Sequence, residues 1–203
     1  MEHNPRDLEW QRRYEQEDTP WDKGAPSPAL ADFLRERGMA GRVLVPGCGR
    51  GHDARAIAAQ PGATVVGLDI SPLAVAQAQK LTPETASNLS FVTGDFFKLP
   101  PEYTGSFDWL VEHTCFCAID PSLRHDYVLA AARALRDGGR IFGVVYMNPD
   151  SDSAPPFPVS REELSALFEP HFTLLEEWVP QNSFPGREQR ELVRLLQKRQ
   201  SAQ

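Results

Sequence analysis

Three alternating glycines are the strongest chemical signal in the sequence. Gly47, Gly49 and Gly51 follow a short apolar run and precede an alanine-rich stretch. Glycine allows the backbone to turn sharply and to approach a bound ligand closely. Asp69 lies eighteen residues after Gly51, at the end of the next apolar run, and a carboxylate there can accept hydrogen bonds from both hydroxyls of a ribose. The spacing predicts a nucleoside site, although the glycines alone would also fit a plain strand-to-helix turn.

The spacing of the glycines indicates which kind of nucleoside the site would bind. A dinucleotide fingerprint needs G-x-G-x-x-G, and His52 occupies the position of its third glycine, so the pattern disfavours an NAD-linked oxidoreductase. No Gly-Lys-Ser/Thr follows, which disfavours a P-loop. The observed spacing suits a nucleoside that carries a methionine zwitterion instead of a pyrophosphate. After the third apolar run, Asp95 could accept a hydrogen bond from an adenine amino group and Phe96 could cover the ring.

These residues need a scaffold of strands and helices to bring them together. Short β-branched or apolar runs predict strands at 43–45, 64–68, 89–92, 107–111, 141–146 and 172–179. Capping residues and prolines predict helices at about 5–17, 28–37, 53–60, 72–80 and 121–136, and another from Ser160. Segment 191–198 fits a strand, but Leu192, Leu195 and Leu196 also fit a helical period. The alternation predicts a Rossmann-like α/β fold, with a seven-stranded, mostly parallel sheet flanked by helices.

The composition disfavours several classes of partner. The chain has 203 residues, with 21 Lys and Arg against 28 Asp and Glu, and its net charge is −7. An acidic surface disfavours binding to nucleic acid or to an anionic membrane. No apolar run approaches the ~20 residues that cross a bilayer, and the first residues lack the pattern of a secretion signal. Three cysteines are a sparse, odd set, which favours a reducing compartment, so we expect a cytoplasmic protein.

His113 directly follows the fourth predicted strand, at the edge where open α/β sheets bind ligands. It could act as a general base toward a thiol, or donate a hydrogen bond to an anionic acceptor or to the cofactor. Cys115, Cys117 and His125 lie near it in the sequence and raise the question of zinc. No second ligand pair at zinc-finger spacing accompanies them, so we expect no metal. We expect Cys48 to be a small buried residue and not a nucleophile.

Four short motifs are spread along the chain: Trp10-Gln-Arg-Arg-Tyr14, Thr19-Pro-Trp21-Asp22-Lys-Gly24, Val45-Pro-Gly-Cys-Gly49 and Phe116-Cys-Ala-Ile119. They resemble the motifs of the thiopurine S-methyltransferase family, within it the branch of thiol, thiocyanate and halide methyltransferases. The wider resemblance, to class I S-adenosylmethionine-dependent methyltransferases, covers roughly residues 28–146. It implies S-adenosyl-L-methionine as the cofactor, S-adenosyl-L-homocysteine as the product and a helical N-terminal lid.

The resemblance also implies roles for individual residues. The implied cofactor contacts are Trp10, Tyr14 and Trp21 from the lid, Gly47 at the methionyl part with Gly49 in the same turn, Asp69 at the ribose, Asp95 and Phe96 at the adenine, and His113 beside the sulfonium. The implied acceptor pocket consists of Trp21, Thr114, Phe116 and Tyr146. Where the plant halide and thiol enzymes have a second tryptophan and an Asp-Tyr-Thr triplet, this chain has Tyr14 and Glu112-His113-Thr114. This difference bears on the acceptor more than on the cofactor.

The resemblance implies a single methyltransferase domain over residues 1–203. Residues 1–27 would form the lid, residues 28–146 the cofactor-binding core, and residues 147–203 would complete the sheet and the acceptor pocket, with a proline-rich loop at 147–159. The expected reaction is an in-line methyl transfer to a small soft nucleophile: a halide, thiocyanate, hydrosulfide or small thiol. A thiopurine or another aromatic thiol is an alternative acceptor, and a non-catalytic nucleotide-binding module is an alternative of a different class. We expect a monomer or weak homo-oligomer whose partner is a small molecule or small anion.

Overall fold

The computed structural model describes residues 5–149 and 155–200. This part of the chain contains the helices α1 (Pro5–Glu15), α2 (Pro28–Arg37), α3 (His52–Ala58), α4 (Pro72–Lys80), α5 (Arg124–Ala134) and α6 (Arg161–Phe168). It contains the strands β1 (Gly41–Pro46), β2 (Ala63–Asp69), β3 (Leu89–Thr93), β4 (Phe107–His113), β5 (Leu135–Tyr146), β6 (Phe172–Trp178) and β7 (Glu191–Lys198). Short 3-10 turns occur between β3 and β4 and between β4 and α5.

The strands form one sheet in the order β3-β2-β1-β4-β5-β7-β6. The pairs from β3 across to β5 are parallel, whereas β7 runs antiparallel to both β5 and β6. The predicted seven-stranded, mostly parallel sheet is therefore confirmed. The order of strands reverses at β1, which lies between β2 and β4, and open sheets of this kind bind ligands at the carboxyl ends of the strands beside such a reversal.

Segment 191–198, which fitted either a strand or a helix, is strand β7. Leu192 and Leu196 belong to the apolar layer on one face of the sheet, whereas Val193 belongs to the layer on the other face. A strand that is buried on both faces is apolar at consecutive positions, so its leucines matched a helical period by coincidence.

Several predicted boundaries differ from the structure. The predicted helix at 121–136 divides into a 3-10 turn at Pro121–Leu123 and α5, and β5 begins at Leu135 instead of at residue 141. Leu135 pairs with Phe107 of β4, so sheet pairing takes the residues that helix propensity would assign to the last turn. Helix α1 ends at Glu15, two residues earlier than predicted, and Glu17 has a φ of 55° that no helix can hold.

Serine caps begin three of the helices, as the sequence predicted. The side chains of Ser27, Ser71 and Ser160 accept hydrogen bonds from the backbone nitrogens three residues later. These caps set where α2, α4 and α6 begin, so they help to fix the positions of the loops between the strands and the helices.

The predicted loop at 147–159 is only partly described. Residues 147–149 and 155–159 contain no helix or strand, and residues 150–154 lie outside the described part of the chain. Within the described residues, no helix has the length and apolar character needed to cross a membrane.

Candidate functional site

A cavity of about 350 Å³ lies at the carboxyl ends of the first four strands. Gly47 follows β1, Asp69 ends β2, Gly94 follows β3 and Thr114 follows β4, and all four line the cavity. Most of the predicted site residues contribute to its wall: Trp10, Tyr14, Trp21, Gly47, Asp69, Asp95, Phe96, Thr114 and Tyr146. The fold therefore gathers residues that are spread over more than half of the sequence.

The glycine-rich turn adopts a conformation that requires glycine. Gly47, Gly49 and Gly51 have φ values of 60°, 53° and 77°, a region in which other residues are strained. Space is also limited, because a Cβ atom on Gly49 would lie 2.9 Å from the hydroxyl oxygen of Tyr14. Gly49 itself borders a smaller adjoining cavity of about 60 Å³, so it shapes the turn beneath Tyr14.

Asp69 joins this turn to the cavity. Its Oδ2 accepts a hydrogen bond from the Gly49 nitrogen at 2.8 Å, and its Oδ1 accepts one from the Ser71 nitrogen at 2.9 Å. Burial raises the pKa of Asp69 above the usual range, although the two N–H groups favour the ionised form. Each carboxylate oxygen can accept a further hydrogen bond, which fits the ribose contact that the sequence predicted.

Asp95 and Phe96 form the wall that follows β3. The Asp95 side chain accepts a hydrogen bond from the Phe97 nitrogen at 2.9 Å, which fixes the start of a 3-10 turn. Phe96 is largely buried and packs against Tyr127 with a distance of 4.9 Å between ring centroids. A rigid aromatic ring beside a carboxylate offers both a flat surface and a hydrogen-bond acceptor, and this combination fits an adenine.

The N-terminal segment, which was predicted to be a lid, supplies three aromatic rings on the other side of the cavity. The centroid of the Trp21 ring lies 5.3 Å from that of Trp10 and 5.9 Å from that of Tyr14, edge-to-face in both cases. Trp21 Nε1 donates a hydrogen bond to the Tyr14 hydroxyl at 3.3 Å. The Arg13 guanidinium stacks on Trp21 at 4.6 Å from the ring centroid. Aromatic faces attract cations electrostatically, and Arg13 already makes such a contact with Trp21.

His113 lies beside the main cavity and not in its wall. It borders the smaller cavity, where Nδ1 is 2.8 Å from Asp53 Oδ2 and Nε2 is 3.4 Å from Arg187 Nη1. Burial would lower the pKa of His113, but the Asp53 carboxylate outweighs this and the pKa is raised. The pKa of Asp53 is lowered, because the attraction of His113 outweighs the effect of burial. Both ring nitrogens thus face protein groups, which leaves neither of them directed at the acceptor.

The structure corrects one residue of the predicted acceptor pocket. Phe116 is 1% exposed and packs between Tyr127 and Phe168, with ring centroids at 5.3 Å and 5.8 Å. The 3-10 turn at Phe116–Ala118 directs its ring into the core. Cys115 and Cys117, on either side of it, line the cavity instead.

Three basic residues that were not among the predicted site residues also line the cavity: Arg13, Lys23 and Arg187. Arg13 and Lys23 lie within the N-terminal motifs, whereas Arg187 lies in no motif. Arg187 is only 9% exposed. Its guanidinium lies 5.1 Å from the centroid of the Tyr146 ring and 3.4 Å from Glu191 Oε1. Because Arg187 follows a turn between β6 and β7, only the fold brings it to the ends of the central strands.

Three cysteine thiols lie in the walls of the two cavities. Burial raises the pKa of all three thiols, Cys48, Cys115 and Cys117, so they are protonated at neutral pH and are weak nucleophiles. Within residues 5–149 and 155–200, no three His, Cys, Asp or Glu side chains are arranged to hold a metal ion.

Comparisons with solved structures identify the fold. The chain superimposes on the 1,6-didemethyltoxoflavin-N1-methyltransferase of Burkholderia thailandensis, solved with S-adenosylhomocysteine, with a TM-score of 0.74 and 23% identity over 96% of this chain and 87% of that one. An S-adenosylmethionine-dependent methyltransferase from Methanosarcina mazei gives a TM-score of 0.70 at 18% identity over 87% of this chain and 100% of that one. The fold is that of class I methyltransferases.

Comparisons of sequence identify the family. The thiopurine S-methyltransferase family model matches residues 6–199. Two proteins of Arabidopsis thaliana, a probable thiol methyltransferase 2 and thiocyanate methyltransferase 1, are each 35% identical over 164 residues, which is 79% of this chain and 71% of those proteins. A thiopurine S-methyltransferase of Nitrosospira multiformis is 28% identical over 78% of this chain and 79% of that protein. The chain therefore belongs to the thiopurine S-methyltransferase family and is an S-adenosylmethionine-dependent methyltransferase.

Proposed function

We propose that this enzyme methylates a small, soft, anionic nucleophile: a halide, thiocyanate, hydrosulfide or a small thiolate. The observation that carries the proposal is Arg187, a buried guanidinium in the wall of the cavity beside Tyr146. The relatives named as thiol and thiocyanate methyltransferases support the same class of acceptor.

The cofactor would lie between the ends of β1 to β3 and the lid. Asp69 would accept the ribose hydroxyls, Asp95 and Phe96 would bind the adenine, and Gly47 would contact the methionyl part. Trp10, Tyr14 and Trp21 would cover the sulfonium and exclude water. S-adenosylmethionine supplies a methyl group on a sulfonium, which a nucleophile displaces in line.

The acceptor end of the cavity is suited to an anion. The chain has a net charge of −7, yet Arg13, Lys23 and Arg187 all reach the cavity wall. A guanidinium offers several N–H donors in a fixed plane. Arg187 would therefore hold an anion beside Thr114 and Tyr146, and positioning of this kind is the main contribution that a protein makes to a displacement reaction.

An acceptor that is already an anion does not require a general base in the cavity. Halide and thiocyanate are already ionised at neutral pH. His113 is engaged by Asp53 and Arg187, and the cysteine thiols in the wall are protonated. An anion that arrives in its reactive form fits this site better than an acceptor that must lose a proton.

A thiopurine or another aromatic thiol is the alternative acceptor, and relatives named thiopurine S-methyltransferase favour it. The size of the cavity favours the smaller acceptor. A single space of about 350 Å³ would have to contain both cofactor and acceptor, whereas pockets for one drug-sized ligand span roughly 300–1,000 Å³.

The test is turnover with a panel of acceptors. The purified protein is incubated with S-adenosylmethionine and, separately, iodide, thiocyanate, hydrosulfide and a thiopurine, and S-adenosylhomocysteine and volatile methyl products are measured. We expect turnover of the anions. In Arg187→Leu, KM for the anion should rise by about tenfold or more, as expected when a hydrogen bond to a charged group is lost, while affinity for S-adenosylhomocysteine stays unchanged.

An exposed arginine outside the cavity provides the control. Arg35→Leu on α2 should leave both constants at the wild-type value. Turnover of the thiopurine alone would favour the alternative acceptor, and an unchanged KM for the anion in Arg187→Leu would refute the role of Arg187.

We also infer one methyltransferase domain, in which residues 1–27 serve as the lid, in a cytoplasmic protein that acts as a monomer or weak homo-oligomer without a nucleic-acid partner. The acidic net charge and the three free cysteines support this inference. Light scattering during size-exclusion chromatography tests the oligomeric state.

A further inference from the structure

Asp22, the residue after Trp21, links the lid to the glycine-rich turn. Asp22 Oδ2 accepts a hydrogen bond from Arg50 Nη1 at 2.7 Å, and Oδ1 lies 3.1 Å from His52 Nε2. Oδ1 also accepts a hydrogen bond from the Gly24 nitrogen at 2.9 Å. The Asp22 side chain is 8% exposed. A carboxylate that is shielded from water and receives several N–H donors forms a strong link.

The two donors on the turn are themselves held in place. Arg50 Nε donates to Gln77 Oε1 of α4 at 2.8 Å, and Arg55 Nη1 donates to the Arg50 carbonyl at 2.8 Å. Arg55 Nη2 lies 3.1 Å from His52 Nδ1. Arginine cannot accept a hydrogen bond, so Nδ1 is the acceptor and the ring proton lies on Nε2, directed at Asp22. The turn therefore presents Asp22 with a fixed pair of donors.

This arrangement explains why His52 stands where a dinucleotide fingerprint would have glycine. The imidazole reaches from the first residue of α3 to the lid, a contact that glycine could not make. The same turn shapes the cofactor side of the cavity, so any movement of Asp22 relative to it would also displace the neighbouring Trp21.

We propose that Asp22 is a positioning residue for methyl transfer. By binding Arg50 and His52, it fixes Trp21 over the cofactor, although Asp22 itself is absent from the wall of the main cavity. The inference rests on the proposed function in one respect, that the cofactor binds against Trp21. It does not depend on which acceptor is methylated.

The test is Asp22→Asn, which keeps the shape of the side chain and removes its charge. We expect the dissociation constant of S-adenosylhomocysteine and KM for S-adenosylmethionine to rise by about tenfold, with a smaller fall in kcat at saturating cofactor. KM for the acceptor should rise less than KM for S-adenosylmethionine, because Arg187 and Tyr146 are untouched and only Trp21 is shared with the acceptor pocket. Asp22→Glu should recover part of the loss, since it restores the charge.

Asp108→Asn is the matched control. Asp108 likewise accepts hydrogen bonds from an arginine side chain and a backbone nitrogen, Arg136 Nε at 2.6 Å and the Arg42 nitrogen at 2.7 Å. It lies near the start of β4, at the opposite end of the strands. Loss of cofactor affinity to the same extent in this control, or unchanged cofactor affinity in Asp22→Asn, would overturn the proposal.

Arg50→Gln provides an independent variant. It should reproduce the rise in KM for S-adenosylmethionine, and combining it with Asp22→Asn should add less than the sum of the two effects, because both changes break one link. If Asp22→Asn does not fold, Arg50→Gln decides alone, and unchanged cofactor affinity in it refutes the link. Binding of S-adenosylhomocysteine needs no acceptor, so its affinity can be measured and interpreted even if none of the proposed acceptors is methylated.

Discussion

The Asp69 carboxylate holds the glycine-rich turn and also lines the cavity. Its two oxygens hold the backbone nitrogens of Gly49 and Ser71, and the side chain also lines the cavity. The contacts to the backbone fix the direction of the carboxylate before any ligand is present. A preorganised acceptor loses little conformational entropy when a ribose binds, so the backbone contacts of Asp69 favour the proposed ribose contact.

Asp69→Asn should weaken the binding of S-adenosylhomocysteine by about tenfold or more, since hydrogen bonds to charged groups contribute about 1.5–3 kcal/mol each. The amide replaces one acceptor oxygen with an N–H donor, which would face either a backbone nitrogen or a ribose hydroxyl. Isothermal titration calorimetry measures the change. Asp32→Asn, on an exposed ion pair of α2, should bind like wild type. An Asp69→Asn protein with wild-type affinity would rule out the ribose role.

The site residues that end a strand or directly follow one could be predicted from the sequence. Asp69 and the glycines end or follow strands, so their position at one edge of the sheet followed from the parallel topology. The side on which a loop residue lies was not predictable. Phe116 points into the core because a 3-10 turn rotates it inward, and Arg187 reaches the cavity through a turn between the last two strands, far from the motifs.

Helix α1 is attached to the core by a polar contact as well as by its aromatic rings. Gln11 Oε1 accepts hydrogen bonds from the Ser71 hydroxyl at 2.8 Å and from the Leu73 nitrogen at 3.1 Å. Ser71 caps α4 and Leu73 lies in its first turn. The side chain of Gln11 therefore extends the cap of α4 into the lid and fixes how α1 approaches the cavity.

Gln11→Ala should loosen this attachment without unfolding the core. We expect KM for S-adenosylmethionine to rise by about fivefold or more, since two neutral hydrogen bonds contribute about 0.5–1.5 kcal/mol each. Steady-state kinetics measures the change. Gln16→Ala, at an exposed glutamine just after α1, should have no effect. A normal KM in Gln11→Ala would show that the Gln11 contact does not hold the lid in place.

The order and type of the elements were predictable, and their ends were less so. Proline and serine signals placed the starts of α2, α4 and α6, because capping is decided by neighbouring residues. The beginning of β5 and the nature of β7 depended on pairing with distant strands, Leu135 with Phe107 in one case and both neighbouring strands in the other. Such pairing with distant strands cannot be predicted from the neighbouring residues alone.

At the scale of the whole molecule, buried ionisable groups make stability depend on pH. Glu112 is 3% exposed, and its Oε1 accepts hydrogen bonds from the Cys115 nitrogen at 2.8 Å and the Phe116 nitrogen at 2.7 Å. Burial outweighs these contacts and raises the pKa of Glu112 from 4.5 to about 7.

The raised pKa of His113 acts in the same direction, because its contribution to stability is full below 6.5 and is lost as pH rises through the folded value. The lowered pKa of Asp53 acts in the opposite direction, because its contribution is lost as pH falls below 3.8.

Glu112→Gln isolates the contribution of Glu112 to this pH dependence. In the wild type, the contribution of Glu112 is full below pH 4.5 and is lost as pH rises through about 7, because the folded state keeps a proton that the unfolded chain releases. Glutamine keeps the acceptor oxygen and cannot ionise. The variant should match the wild type at pH 4.5 and become more stable by roughly 3 kcal/mol above pH 8, because raising a pKa by one pH unit corresponds to about 1.4 kcal/mol. Urea unfolding from pH 4.5 to 8.5 measures the difference, in which the other titrating groups cancel. A constant difference in stability across this range would show that folding leaves the pKa of Glu112 unchanged. The hydrogen bonds from the Cys115 and Phe116 nitrogens would then offset the whole effect of burial.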